Sequence, residues 1–64
     1  MSDFKSRLLT EQSELNEKVK KLKSFLEGSN FKSIDERQQK LLEKQYDLMH
    51  EYNEILLERI SLLA

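Results

Sequence analysis

The sequence predicts an all-α fold: two long amphipathic helices in an antiparallel hairpin that assembles into a homo-oligomeric helical bundle. Three observations point there. The 64 residues contain no proline and a single glycine, Gly28, so residues that break helix interiors are missing. Leucine-rich stripes recur every seven residues on both sides of Gly28. The stripe on the second side is wider than one partner helix can cover.

The first periodic segment spans about residues 2–27. Leu8, Leu15 and Leu22 recur at seven-residue spacing, and Val19 and Leu26 fill a neighbouring track. Asp3, Glu11, Glu14 and Glu17 lead and lysines follow, which suits the helix dipole. Glu14–Lys18 and Glu17–Lys21 have the spacing of favourable pairs on one helix face. Gly28 then supplies a stop, and residues 28–33 form the turn. Ser33-Ile34-Asp35-Glu36 reads as a capping box, with Ser33 as the cap and Glu36 reaching back. The second helix is expected over about residues 34–63, making 1–64 a single domain.

On that helix Ile34, Leu41, Leu48, Ile55 and Leu62 form one seven-residue track, and Leu42, Met49, Leu56 and Leu63 form another beside it. Folding the chain about residues 31–32 sets Leu22 opposite Leu41, Leu15 opposite Leu48, Leu8 opposite Ile55 and Met1 opposite Leu62. The intervening layers are Leu26–Gln38, Val19–Gln45, Gln12–Tyr52 and Lys5–Arg59. The second track, with Leu42, Met49, Leu56, Ile60 and Leu63, is then left over. It is the expected oligomer interface, because a lone hairpin would leave it wet. Self-association also suits the size, since a chain this short buries little surface alone and has no cysteine for a disulfide.

Composition narrows the function classes. Eleven Lys and Arg oppose twelve Asp and Glu, for a net charge of −1, which argues against a dedicated nucleic-acid binder. The cluster Lys18, Lys20, Lys21 and Lys23 is read as answering the acidic stripe Glu43, Asp47, Glu51, Glu54 and Glu58 of another subunit. No apolar run is long enough for a membrane span and no signal peptide is evident, so a soluble intracellular protein is expected. The glycines of phosphate loops and nucleophile elbows are missing. His50 with Asp47 makes an acid-x-x-His step, but it falls on the outward face with no second motif to meet it. The expectation is no enzyme, no metal and no cofactor.

The polar residues of the intervening layers carry two readings. Gln38, Gln45, Tyr52 and Arg59 could fix the register of the helices. Alternatively they form a ligand cleft with Lys5 and Gln12. Lys5 and Arg59 would then hold phosphate, Tyr52 would supply a stacking face, and Gln12 and Gln45 would read polar edges. Among the aromatics, Phe4 and Phe25 are assigned to packing against a neighbouring subunit. Phe31 is assigned to the end of the turn, and Tyr46 to a partly exposed surface.

The succession Phe4-Lys5-Ser6-Arg7-Leu8, Glu11, Glu14-Leu15, Lys18, Lys21-Leu22 and Phe25-Leu26 is followed by Phe31. Then come Leu41-Leu42, Gln45, Met49, Tyr52, Ile55-Leu56 and Arg59-Ile60. Over nearly the whole chain it resembles a widespread family of short helical-hairpin proteins encoded by tailed phages, including crAss-like phages. That resemblance implies a cytoplasmic protein of an infected bacterium that counters host defence. It would bind and sequester a nucleotide-derived immune signal, such as a cyclic ADP-ribose isomer or a cyclic dinucleotide. The alternative is a coiled-coil adaptor or inhibitor that binds a host protein through its apolar helix face.

Overall fold

The computed structural model describes residues 3–63. They form two α-helices joined by a 3-10 turn: α1 (Asp3–Glu27), the turn η1 (Ser29–Ser33) and α2 (Glu36–Ser61). The expected helix start at residue 2 and the pairing of Met1 lie outside the described residues.

α1 has an acid, Asp3, in its first turn, where the helix dipole favours it. The helix ends before Gly28, whose N–H donates to the Phe25 carbonyl at 3.1 Å. Gly28 does not use the left-handed region: its φ and ψ are −87° and 166°, an extended conformation open to any residue. The stop therefore comes from an extended backbone and not from glycine's special freedom. In η1, Phe31 is buried and meets Phe25 edge to face, with ring centroids 6.1 Å apart.

The cap of α2 differs from the expected box. The Ser33 hydroxyl donates to the Asn30 carbonyl at 2.7 Å and is thus committed to the 3-10 turn. Asp35 takes over: its carboxylate accepts from the Arg37 N–H at 3.2 Å. The Gln39 side chain donates to the Ile34 carbonyl at 2.9 Å, tying the connection to the first turn. As a result α2 starts at Glu36 instead of Ile34, and it ends at Ser61 with Leu62 as its C-cap.

The two helices pack against each other, with side-chain contacts between them from Phe4 to Asn16 of α1 and from Asn53 to Arg59 of α2. Arg59 lies over Phe4 at one end, and further in Gln12 and Asn16 both reach Asn53. The result is a rod of 47 × 15 × 14 Å. Its core is Leu8, Leu15, Val19 and Leu56, with Tyr46, Met49 and Ile60 packed against it. Tyr46 is partly exposed and flanks the core.

This packing overturns the expected layer pairs. Leu41, Leu48, Ile55 and Leu62 are 56, 58, 55 and 78% exposed, whereas Leu56 is fully enclosed. α2 is turned by about one residue, roughly 100° on a helix, so that its other track faces α1. The polar groups account for the choice. In the observed rotation Asn53 is buried, accepting from the Gln12 amide at 3.1 Å and donating to Asn16 at 3.5 Å. Among the described residues no buried side-chain nitrogen or oxygen lacks a partner, as burial requires.

Candidate functional site

The rotation of α2 decides which polar side chains remain available. Gln38, Gln45, Tyr52 and Arg59 are all exposed, on the flank of α2 beside the core. Toward the open end of the rod this flank meets Phe4 and Glu11 of α1. The Tyr52 hydroxyl donates to the Glu11 carboxylate. The Arg59 guanidinium carbon stands 5.8 Å from the centroid of the Phe4 ring, within cation–π range. Arg7, one turn beyond Phe4, donates from Nε to the Asp3 carbonyl at 3.2 Å. A cup of about 250 Å³ opens between Phe4, Arg7, Leu8, Glu11 and Arg59.

Chemically this cup combines two permanently charged guanidinium groups, one carboxylate and one aromatic face, that of Phe4. Guanidinium forks match phosphate oxygens. A carboxylate accepts hydrogen bonds from hydroxyl groups. Phe4 offers flat apolar surface to a planar ring, and the Tyr52 hydroxyl holds Glu11 from beside the cup.

A second depression lies midway along the outer face of α2. It is a groove of about 480 Å³ lined by Leu41, Lys44, Gln45, Leu48, Met49 and Tyr52. Its lining is mostly apolar, so it suits a hydrophobic side chain better than a charged small molecule.

The expected ligand residues are thus divided. Arg59 lines the cup with Phe4 and Glu11, while Tyr52 lines the groove and touches the cup only through its bond to Glu11. Gln45 lines the separate groove, where its amide points to the Met49 sulfur at 3.8 Å. Lys5 is exposed but is not among the residues lining the cup. Gln12 turns inward to Asn53 and holds the helices together. Of the expected interface residues, Leu56 lies in the core, Met49 and Ile60 pack against it, Leu42 is half-buried and Leu63 is 38% exposed. Tracking against α1 occupies the surface they were expected to offer a second subunit. The apolar row left outside is Leu41, Leu48, Ile55 and Leu62.

Sequence reasoning passed over Arg7 and Glu11 as ligand residues and assigned Phe4 to packing. A signal was present: Phe4 and Glu11 stand seven residues apart, as do Tyr52 and Arg59. His50 is exposed, with its ring 6.1 Å from that of Tyr46. Among the described residues no group of three or more His, Cys, Asp and Glu could hold a metal ion. Among them, too, no helix is long and apolar enough to cross a membrane.

No curated protein and no solved structure matches the chain. A family model described as Sequestin matches residues 2–62. With nearly its whole length covered by that match, the chain belongs to the Sequestin family.

Proposed function

We propose that this chain is a non-catalytic phage anti-defence protein. As a homo-oligomer of helical hairpins, it binds and sequesters a nucleotide-derived immune signal in the cytoplasm of an infected bacterium. The family's name, Sequestin, points to binding and retention of a ligand. The observation that carries the reading is the cup at the open end of the rod, where Arg7 and Arg59 stand beside Phe4 and Glu11. A cyclic ADP-ribose isomer or a cyclic dinucleotide presents the matching groups. Its phosphates suit the guanidiniums, its ribose hydroxyls suit Glu11, and its base suits an aromatic face.

The test is a thermal-shift screen with cyclic ADP-ribose isomers and cyclic dinucleotides, followed by calorimetry on any hit. A ligand at a hundred times its Kd stabilises the native state by about 2.7 kcal/mol. For a domain of this size that raises the melting temperature on the order of 10 °C. Absence of binding by every nucleotide in the panel would overturn the proposal.

The second reading, a coiled-coil adaptor or inhibitor of a host protein, draws on the outer row Leu41, Leu48, Ile55 and Leu62, each more than half exposed. A single host protein recovered in stoichiometric complex, with no nucleotide bound, would favour it.

A further inference from the structure

α2 carries two seams. The inner one, Tyr46, Asn53 and Ile60 alternating with Leu42, Met49 and Leu56, faces α1. The outer one is offset by a single residue: Gln38, Gln45, Tyr52 and Arg59 alternate with Leu41, Leu48, Ile55 and Leu62 at spacings of three and four. That is the repeat of a helix that packs against another helix, and every residue of it is exposed in the single chain.

Charge on the flank identifies the occupant. Arg37, Lys44, Glu51 and Glu58 precede the four polar seam positions and are all exposed. They lie on the side of the seam away from α1, because α1 covers the opposite flank at Leu42, Met49 and Leu56. The first two are cationic and the last two anionic. In an antiparallel pair of α2 helices, Arg37 meets Glu58 of the second copy and Lys44 meets Glu51 of the second copy. Two-fold symmetry makes each pair occur twice. A parallel pair would set each charge row beside the partner's Leu42, Met49 and Leu56 track, which α1 covers, and leave the charges without partners. The same antiparallel register seats Gln45 against Leu48, Tyr52 against Leu41 and Gln38 against Ile55 of the second copy. The apolar groove on the outer face straddles the position between Gln45 and Leu48, where the two-fold axis would then pass.

We infer that the outer seam of α2 is a self-complementary, antiparallel interface for a second copy of this chain. The dimer is a four-helix bundle whose central contact is α2 on α2. Both α1 helices lie on one side of that contact and the charge rows on the other. The cup with Arg7 and Arg59 is left at each end of the bundle. The inference deepens the assembly part of the proposed function and does not depend on the ligand.

Sedimentation and light scattering should give twice 7.7 kDa at micromolar concentration. Lys44→Glu and Glu51→Lys should each weaken the dimer roughly five- to tenfold, since each disturbs two surface ion pairs. The double variant should recover most of the loss, because it inverts the pair. The chain has no native cysteine, so an equimolar mixture of Gln38→Cys and Ile55→Cys variants should cross-link to each other. Circular dichroism confirms that these surface variants remain helical. A wild-type monomer would overturn both the interface and the assembly reading, while nucleotide binding stands or falls by its own titration. An oligomer in which the double variant is not rescued, or in which Ile55→Cys cross-links to itself, would overturn the antiparallel seam alone.

Discussion

Replacing Asn53 with alanine removes the one buried polar side chain among the described residues and both of its hydrogen bonds, to Gln12 at 3.1 Å and to Asn16 at 3.5 Å. A net hydrogen bond contributes about 0.5–1.5 kcal/mol. Gln12 and Asn16 are only partly buried, so water can replace their lost partner. The expected cost is therefore near the low end for two bonds, about 1–2 kcal/mol. Asn53→Leu should behave differently. It fills the same space with apolar volume and leaves no unmet group on α2, so stability should hold or rise. What it loses is the preference for one rotation, because the Leu41 track and the Leu42 track then compete on equal terms. Urea unfolding followed by circular dichroism, at one fixed protein concentration because assembly shifts apparent stability, measures the first effect. Amide spectra measure the second as doubled or broadened peaks. A Gln12→Ala, Asn53→Ala cycle should show a coupling of about 0.5–1.5 kcal/mol. No cost for Asn53→Ala, or a single sharp set of amide peaks for Asn53→Leu, would refute the reasoning that this residue chooses the rotation of α2.

Other substitutions probe the remaining links. Leu56→Ala, at a fully enclosed site, should cost about 2–5 kcal/mol in the same unfolding assay. Asp35→Ala should cost about 1 kcal/mol through loss of the α2 cap, and Ser33→Ala clearly less. The reverse order would restore Ser33 as the cap. Gly28→Ala should be neutral or stabilising by roughly 0.4–1 kcal/mol. Its φ is negative and an added methyl would stand 3.5 Å from the Phe25 and Ser24 carbonyl oxygens, an ordinary contact. Against a bound nucleotide in calorimetry, Arg59→Ala should lose roughly 10- to 150-fold in affinity, the value of about 1.5–3 kcal/mol for a hydrogen bond to a charged group. Arg7→Ala should lose a similar amount, and Gln45→Ala little.

The helices and the turn were legible because their signals are local. Missing breakers and leucine spacing each act within a few residues, and Gly28 marked the stop although its extended backbone does not require a glycine. The rotation of α2 was not legible, because hydrophobicity alone cannot choose between Leu41, Leu48, Ile55, Leu62 and Leu42, Met49, Leu56, Leu63. Both tracks are equally apolar and equally regular. The polar partners break the tie: Asn53 finds Gln12 and Asn16, which a count of apolar positions never weighs. Displacement of the α2 cap has a similar origin. Ser33 and Asp35 are both good capping residues, and the bond from Ser33 to Asn30 within the 3-10 turn leaves the role to Asp35.

One residue step along α2 separates groups that hold the chain together from groups that remain available. Asn53 is buried and bonded while Tyr52 beside it is 43% exposed. Ile60 packs on the core while Arg59 beside it turns toward Phe4. This answers half of the question posed by the row Gln38, Gln45, Tyr52 and Arg59. Fixing the register of α1 on α2 requires burial between them, and these four side chains are exposed; the buried Asn53 meets that requirement. Within the chain Tyr52 and Arg59 meet Glu11 and Phe4 from an exposed flank, and the rest of the row's surface faces outward. Gln45 and Tyr52 line the apolar groove, which suits a second helix, and Arg59 borders the charged cup, which suits an anion. The two functions can coexist on one helix because they occupy different lengths of it. Substitutions near Leu48 should change mass without changing nucleotide affinity per site, and substitutions at Arg7 should do the reverse. If every substitution moved both quantities together, groove and cup would be one site, and the ligand would have to sit between the copies along the α2 seam.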